Sequence, residues 1–511
     1  MKNTFRTILA TILFSLSFYA VNRRDMPAGM SDFRDAPKDT PAFDSLDRAG
    51  ASGNGPVYSA PSPVPFRGAA PGHTAKPKEW TVMVYMDANN DLSEFNLFSI
   101  NDRSAQKDLA EMREAGTTDA INVVVEIDLN GKYSRRMLVG KKGALSANDQ
   151  VFAVDPGADM GDYRRAIDFI KTAKAGYPAK KYMFVLWGHG QGWRAGPNLN
   201  PNAMPDAAKN DGSGERKDPV GEETKKYISA SQLGEIFRQS GYVDVFIQAA
   251  CAQQMAEVAY EVKDGVGLIA ASEEVMLAGV FDYTKLLDFM NGNPSFTNEQ
   301  FSDFLMSWYR RQYAEGAPVG PINVSLAGEV ATLSTLRPAA LNELPAQLDA
   351  FVGTVMRNNE RHAVYQAVYR AIRFHSPYPT DTEKQLSYSA DLYDFADAVG
   401  IYANSPATTR AADALKDFIK NRLVMGNIGI GRYGLLEDYE KVGGVAIELT
   451  PRGANIYRMS KWTVVSETKY SSLALSRASR WDEFLSWADN VWRENMPLPR
   501  NVTQADLPAL R

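Results

Sequence analysis

The 511-residue chain contains one cysteine and four histidines. One cysteine cannot close an internal disulfide, and with so few histidines it offers none of the ligand spacing of a zinc site. A basic excess is missing too: 56 Lys and Arg stand against 61 Asp and Glu, a formal net charge of −5. That balance, with no dense basic stripe, excludes general nucleic-acid binding. The G-x-S-x-G elbow that would carry a serine nucleophile is absent, and there is no internal repeat. Spaced glycines do occur in "GNIGIGRYG" (426–434), but no buried strand of a βαβ unit precedes them. The stretch reads as a loop and not as a dinucleotide cradle.

Long apolar runs are also scarce, with one at the N-terminus. In "MKNTFRTILATILFSLSFYAVNRRD", Lys2 and Arg6 precede an uncharged stretch from Ile8 to Val21. It falls short of the roughly 20 residues that span a bilayer and reads as a signal peptide over 1–20. Export follows as the expectation, to a secreted, periplasmic or cell-surface location; an uncleaved tether is the alternative. Residues 21–78 are rich in Pro, Gly, Ala and Ser and show no period of 2 or 3.6. They read as a disordered linker or pro-segment.

From Glu79 onward, strand and helix patterns alternate. "WTVMVYMDA", "INVVVEID", "KYMFVLWGHG", "VDVFIQAA" and "VGLIAAS" are continuous apolar strands, and "SRRMLVG" suits an antiparallel neighbour of the second. Between them lie amphipathic stretches such as "YRRAIDFIKTAKAGY" and "SASQLGEIFRQSG", the latter opening on a Ser229/Gln232 capping box. This pattern predicts an α/β fold with a mostly parallel sheet covered on both faces. Residues 79–290 form the expected core. The remainder, 291–511, mixes helices with strand candidates, and either extends that core or forms a small second domain.

In open α/β sheets reactive groups gather where parallel strands end. Two such ends carry unusual residues: "FVLWGHGQGW", with His189 between glycines, and "VFIQAAC", which ends on Cys251. The other histidines have weaker contexts: His73 in the linker, His362 in a charged helix, and His375 before a turn. An imidazole beside a thiol lowers its pKa and later protonates a leaving amine. The glycines flanking His189 let a substrate approach the backbone. Cys251 is further expected at the N-terminus of a helix over "AQQMAEVAYE", whose dipole favours a thiolate. An odd thiol in an exported chain at such a strand end points to a nucleophile rather than a core residue.

At these residues the sequence resembles the clostripain family of cysteine peptidases, relatives of caspases, gingipains and legumain. The resemblance rests on "WTVMVYMDANNDLSEF", "YMFVLWGHGQGWR", "VDVFIQAACAQQMAEVAYE", "LIAASEEVMLAGVFDY", "ADLYDFA", "GGVAIELTP" and "RWDEFLSW", in that order from about 80 to 490. It implies a caspase-like three-layer α/β/α sandwich and an endopeptidase acting on protein or peptide substrates through a thioester. His189 matches the family's catalytic histidine and Cys251 its nucleophile. The backbone N–H groups of Gly190 and Cys251 would form the oxyanion hole. No cofactor is required for this chemistry. Calcium dependence is known in the family, and the acidic loops here offer ligands without EF-hand spacing.

One position departs from the family pattern. An aspartate usually stands two residues before the cysteine and selects Arg or Lys; here it is Ala249. Glu273 and Glu274, after the next strand, either replace that charge in the pocket or belong to a solvated loop. On balance the sequence favours an uncharged or relaxed pocket. The polar segment after His189 carries Arg216, Lys217, Lys225 and Lys226, where relatives cut themselves; an insertion never cut is the alternative. A second functional class is a catalytically inactive binding or scaffold protein whose pocket has decayed.

Overall fold

A computed structural model describes residues 76–90, 92, 104–129, 134–142, 149–155, 157–193, 227–277, 281–319, 322–324, 326, 328–374, 387–433, 436–450 and 469–495. The segment expected to be a signal peptide, His73, His375, Arg216, Lys217, Lys225, Lys226 and nearly all of the expected linker lie outside them.

Five apolar segments form a parallel array: β1 (Lys78–Ala88), β2 (Ile121–Leu129), β5 (Ala179–Trp187), β6 (Val245–Ala249) and β7 (Ile269–Ala271). β3 (Ser134–Leu138) and β4 (Gln150–Asp155) continue it as an antiparallel meander beyond β2, as the "SRRMLVG" pattern predicts. β8 (Ala331–Leu336) and β9 (Val424–Ile430) add antiparallel strands beyond β7. The order across the nine strands is β9-β8-β7-β6-β5-β1-β2-β3-β4.

β9 corrects the reading of "GNIGIGRYG" as a loop. Its glycines permit close packing: a Cβ on Gly426 would collide with Ser302 Oγ, and one on Gly429 with the Tyr439 carbonyl. The strand lies at the antiparallel edge, so it still builds no βαβ cradle.

Side chains alternate across the parallel strands, so each of these strands feeds two cores. Val245, Ile247 and Ala249 share one core with α1 (Ser104–Ala115), α5 (Tyr283–Gly292) and α6 (Asn298–Glu315). Phe246, Phe184 and Leu186 share the other with α2 (Tyr163–Gly176), α3 (Ala230–Ser240) and α4 (Ala256–Val262). The helices Leu344–Arg357, Arg361–Arg370, Leu392–Tyr402, Pro406–Phe418 and Trp481–Asn495 join that second core. The result is a three-layer α/β/α sandwich. The Ser229/Gln232 capping box starts α3 as expected, with both reciprocal bonds formed. A three-stranded sheet (Arg373–Phe374, Ser389–Asp391, Ala446–Glu448) lies on the α3 face of the central sheet. No helix among the described residues is long and apolar enough to cross a membrane.

Candidate active site

β5 and β6 run parallel with Trp187 opposite Ala249 as their last paired position. His189 and Cys251 each lie two residues further on, since 189 − 187 equals 251 − 249. They therefore sit level across adjacent strand ends at the sheet's carboxyl edge. The Gly188 N–H donates to the Ala249 carbonyl at 3.3 Å and carries the pairing one residue beyond β5. Gly190 then packs against the backbone of Cys251. A Cβ there would stand 2.8 Å from the Cys251 carbonyl oxygen and against the Gln253 amide. Glycine is required by this contact, and it keeps the two strand ends together.

Cys251 is partly exposed and in no disulfide, its Sγ 3.8 Å from the Met276 carbonyl. Ala252, immediately after it, has φ +57°, a left-handed conformation that costs an alanine about 1–2 kcal/mol. Its N–H bonded to the Glu274 carbonyl at 3.1 Å holds it there. Strain of this kind clusters at functional sites.

The expected helix after Cys251 is corrected: α4 begins at Ala256. Residues between them are drawn into an extended link instead. Gln254 donates its main-chain N–H to Ser272 O and its side-chain amide to Ser334 O and Oγ, while its carbonyl accepts from Ala446 N. Those tertiary bonds override helix propensity. A helix dipole fades within its first turn, so α4 contributes little to a thiolate five residues upstream.

Charge near the imidazole comes from β1 instead. Asp87 is buried at the end of that strand, opposite Asp128 of β2. Burial, then the neighbouring Asp128 charge, pushes its pKa up to about 7, while a protonated His189 pulls the other way. Asp128 is likewise raised to about 7, by burial first. Asp87 is a residue that the strand-end search missed, although "YMDANND" places it at a carboxyl edge.

Glu273 and Glu274 do not form a solvated loop; both are buried. Thr332 Oγ1 accepts both of their N–H groups, at 2.9 and 3.0 Å, and folds the turn inward. The Glu274 carboxylate accepts from Val275 N at 2.7 Å and from Tyr439 Oη at 2.5 Å. Glu273 lies beside Asp391, which caps the helix Leu392–Tyr402 and also accepts from Gly443 N. Burial, then the Asp391 charge, drives the Glu273 pKa well above the carboxylate range. Tyr439 and the Leu392–Tyr402 helix belong to the α3-face core, whereas Ala249 belongs to the α6-face core. The two glutamates therefore point away from the position that Ala249 leaves neutral.

His362 lies in the helix Arg361–Arg370, edge-on to Tyr402. Among the described residues no group of three or more His, Cys, Asp or Glu side chains could hold a metal ion.

The fold and the two strand ends together define a caspase-like α/β/α protein. Residues 84–487 match the clostripain family model, and the chain belongs to the clostripain family of cysteine proteases. Clostripain of Hathewaya histolytica is 26% identical over 252 residues, which span 44% of this chain and 44% of the relative. A secreted C11 cysteine protease from Bacteroides thetaiotaomicron, solved with an irreversible peptide inhibitor, superposes with a TM-score of 0.54 at 18% identity. That match covers 79% of this chain and all of the other. An inactive zymogen C11 protease from Parabacteroides distasonis gives 0.50 at 17% identity, covering 82% and 99%. At these identities the structural matches establish the fold.

Proposed function

We propose that the chain is an exported cysteine endopeptidase in which His189 and Cys251 form the catalytic dyad. The observation that carries this reading is their level placement at the ends of adjacent parallel strands. His189 takes the Cys251 proton, and the thiolate attacks the scissile carbonyl to form a thioester. The imidazolium protonates the departing amine, and the same imidazole then activates water for hydrolysis. The N–H groups of Gly190 and Cys251 would hold the oxyanion. Export rests on the N-terminal apolar run, and self-cleavage between His189 and Cys251 on the basic residues of that segment.

Peptide hydrolysis and the pH dependence of iodoacetamide alkylation of Cys251 test the dyad together. Cys251→Ala should reduce turnover at least ~10⁴-fold while leaving the unfolding free energy within about 1 kcal/mol of the parent. His189→Ala should shift thiol alkylation toward the ordinary range near pH 8.5. Alkylation indifferent to His189 would reject the dyad and leave the inactive-scaffold reading standing.

A further inference from the structure

His189 sits in "GHGQGW", where Gly188, Gly190 and Gly192 offer no side chains to hold the backbone. Glycine loses more conformational freedom on folding than any other residue, so this loop needs an anchor from outside. On one side it lies against the turn after Cys251. Gly192, at φ +65°, packs so closely that a Cβ there would strike Met255 Sγ and stand 3.1 Å from the Ala252 carbonyl oxygen. The far end of the loop is Trp193, the first aromatic side chain after His189, and it is buried.

Trp193 is held by the C-terminal part of the chain. Its indole N–H donates to Glu448 Oε2 at 3.0 Å, and its ring meets Tyr470 edge-on at 5.3 Å. The Glu448 main-chain N–H donates to Glu257 Oε1 at 2.9 Å, and the Tyr470 hydroxyl donates to the same oxygen at 2.9 Å. Trp193, Glu448, Glu257 and Tyr470 thus close a ring of contacts. The Glu448 carbonyl accepts from Trp481 Nε1 at 2.8 Å, which fixes it to the helix Trp481–Asn495. On the same short strand, the Ala446 N–H donates to the Gln254 carbonyl at 2.9 Å, just past the Cys251 turn. Ala446–Glu448 therefore grips the Cys251 link through its backbone and the His189 loop through one side chain. A buried indole N–H that loses its acceptor is costly, so the Glu448 carboxylate keeps Trp193 seated.

We propose that Glu448 is a positioning residue for the dyad: through Trp193 it holds the His189 loop against the Cys251 turn. The C-terminal part of the chain carries neither reactive group, yet it sets the distance across which the proton moves. The inference rests on the peptidase reading above. Proton transfer needs hydrogen-bond reach, and a shift of about 1 Å costs roughly 10²-fold in rate. A loosened loop therefore lowers turnover more than it weakens substrate binding.

The test compares Trp193→Phe, which keeps an aromatic ring and deletes the donor, with Glu448→Ala and Glu448→Gln in the full chain. Each is read by peptide hydrolysis and by the pH dependence of iodoacetamide alkylation of Cys251. Trp193→Phe and Glu448→Ala should each lower kcat about 10- to 100-fold, with KM within about twofold of the parent. The double variant should be about as slow as the worse single one, because both remove the same bond. Glu448→Gln still presents an oxygen to the indole, so its kcat should stay within about threefold of the parent. In both slow variants alkylation should move toward the ordinary thiol range at about pH 8.5, as in His189→Ala. If Glu448→Ala does not fold, Trp193→Phe decides the matter alone. Unchanged kcat and alkylation in Trp193→Phe, independent losses in the double variant, or Glu448→Gln as slow as Glu448→Ala overturns the positioning role and leaves the peptidase intact. An inert parent whose alkylation is indifferent to His189 rejects the peptidase reading, and the role with it.

Discussion

The two faces of the sheet differ sharply beneath the same strand ends. On the α6 side, Ala249, Met276 and Tyr309 carry no charge. On the α3 side the chain buries Glu273, Asp391, Glu274, Arg373 and Glu448 within a few elements of one another. Arg373 is fully buried, donating to the carbonyls of Val368, Ser387, Leu449 and Thr450 and so tying its strand to the segment after Ala446–Glu448. Charges on that side are consumed in holding the C-terminal part of the chain against the central sheet. The difference teaches that acid near a thiol is not by itself a specificity determinant. What matters is the face it serves.

Breaking the charged side should produce the largest effect. Arg373→Met leaves four carbonyls short of a donor and removes a positive charge that interacts with Glu448 and Asp394. Loss of a buried charged partner costs about 3–5 kcal/mol. Urea unfolding should show it, and a loss under 1 kcal/mol would mean that this side is no anchor.

The Glu273–Asp391 pair sharpens the contrast through pH. Both folded-state values are raised, Asp391 to about 7, by burial and neighbouring charge. Below about pH 4 the carboxyls are protonated folded or unfolded, and they contribute nothing to pH dependence. Above that, the unfolded chain releases protons that the folded one still holds, so stability falls as pH rises. Each group removes about 1.4 kcal/mol per pH unit across its window, which for Asp391 closes near pH 7. Glu273→Gln should therefore match the parent at pH 4 and become progressively more stable than it as pH rises toward 7. Destabilisation at neutral pH would show that Glu273 is charged in the fold.

Gly190 probes the strand ends that carry His189 and Cys251 without touching either charge system. A Cβ 2.8 Å from the Cys251 carbonyl forces the two strand ends apart, and misplacement by about 1 Å costs activity roughly 10²-fold. Gly190→Ala should lose about 10- to 100-fold in kcat/KM and about 1–3 kcal/mol of stability. Gly157→Ala, where the nearest obstacle is Asp155 Oδ1 at 3.9 Å, should lose nothing and serves as the control.

Much of this architecture was legible because local pattern and tertiary role agree. Buried strands show as unbroken apolar runs, and the strand-end positions of His189 and Cys251 follow from where "FVLW" and "VFIQAA" stop. Legibility failed where a residue's role depends on a distant partner. "GNIGIGRYG" resembles a loop because Gly426 answers to Ser302, far away in sequence, and Gly429 to Tyr439 beyond the next turn. "AQQM" resembles a helix start because Gln254's bonds to Ser272, Ser334 and Ala446 leave no local signature. Glu273 and Glu274 resemble an exposed loop because burial depends on Asp391 and Tyr439.

The smallest effect should come from Ala252, and it tests whether strain is confined to the thiol. Two described non-glycine residues have positive φ: Ala252 at +57° and Asn359 at +50°. Asn359 follows the helix Leu344–Arg357, where asparagine suits a left-handed position, so its conformation has a local explanation. Ala252 has none beyond the turn that presents Cys251. Ala252→Gly relieves about 1–2 kcal/mol of left-handed strain but gives back about 0.5–1 kcal/mol through the freer unfolded chain. The net expectation is a stabilisation of about 0.5 kcal/mol, with kcat/KM lowered a fewfold as the nucleophile loosens. Asn359→Ala should instead destabilise by about 1 kcal/mol and leave kcat/KM alone. Equal responses at the two sites would show that the turn after Cys251 is ordinary loop geometry rather than part of the catalytic apparatus.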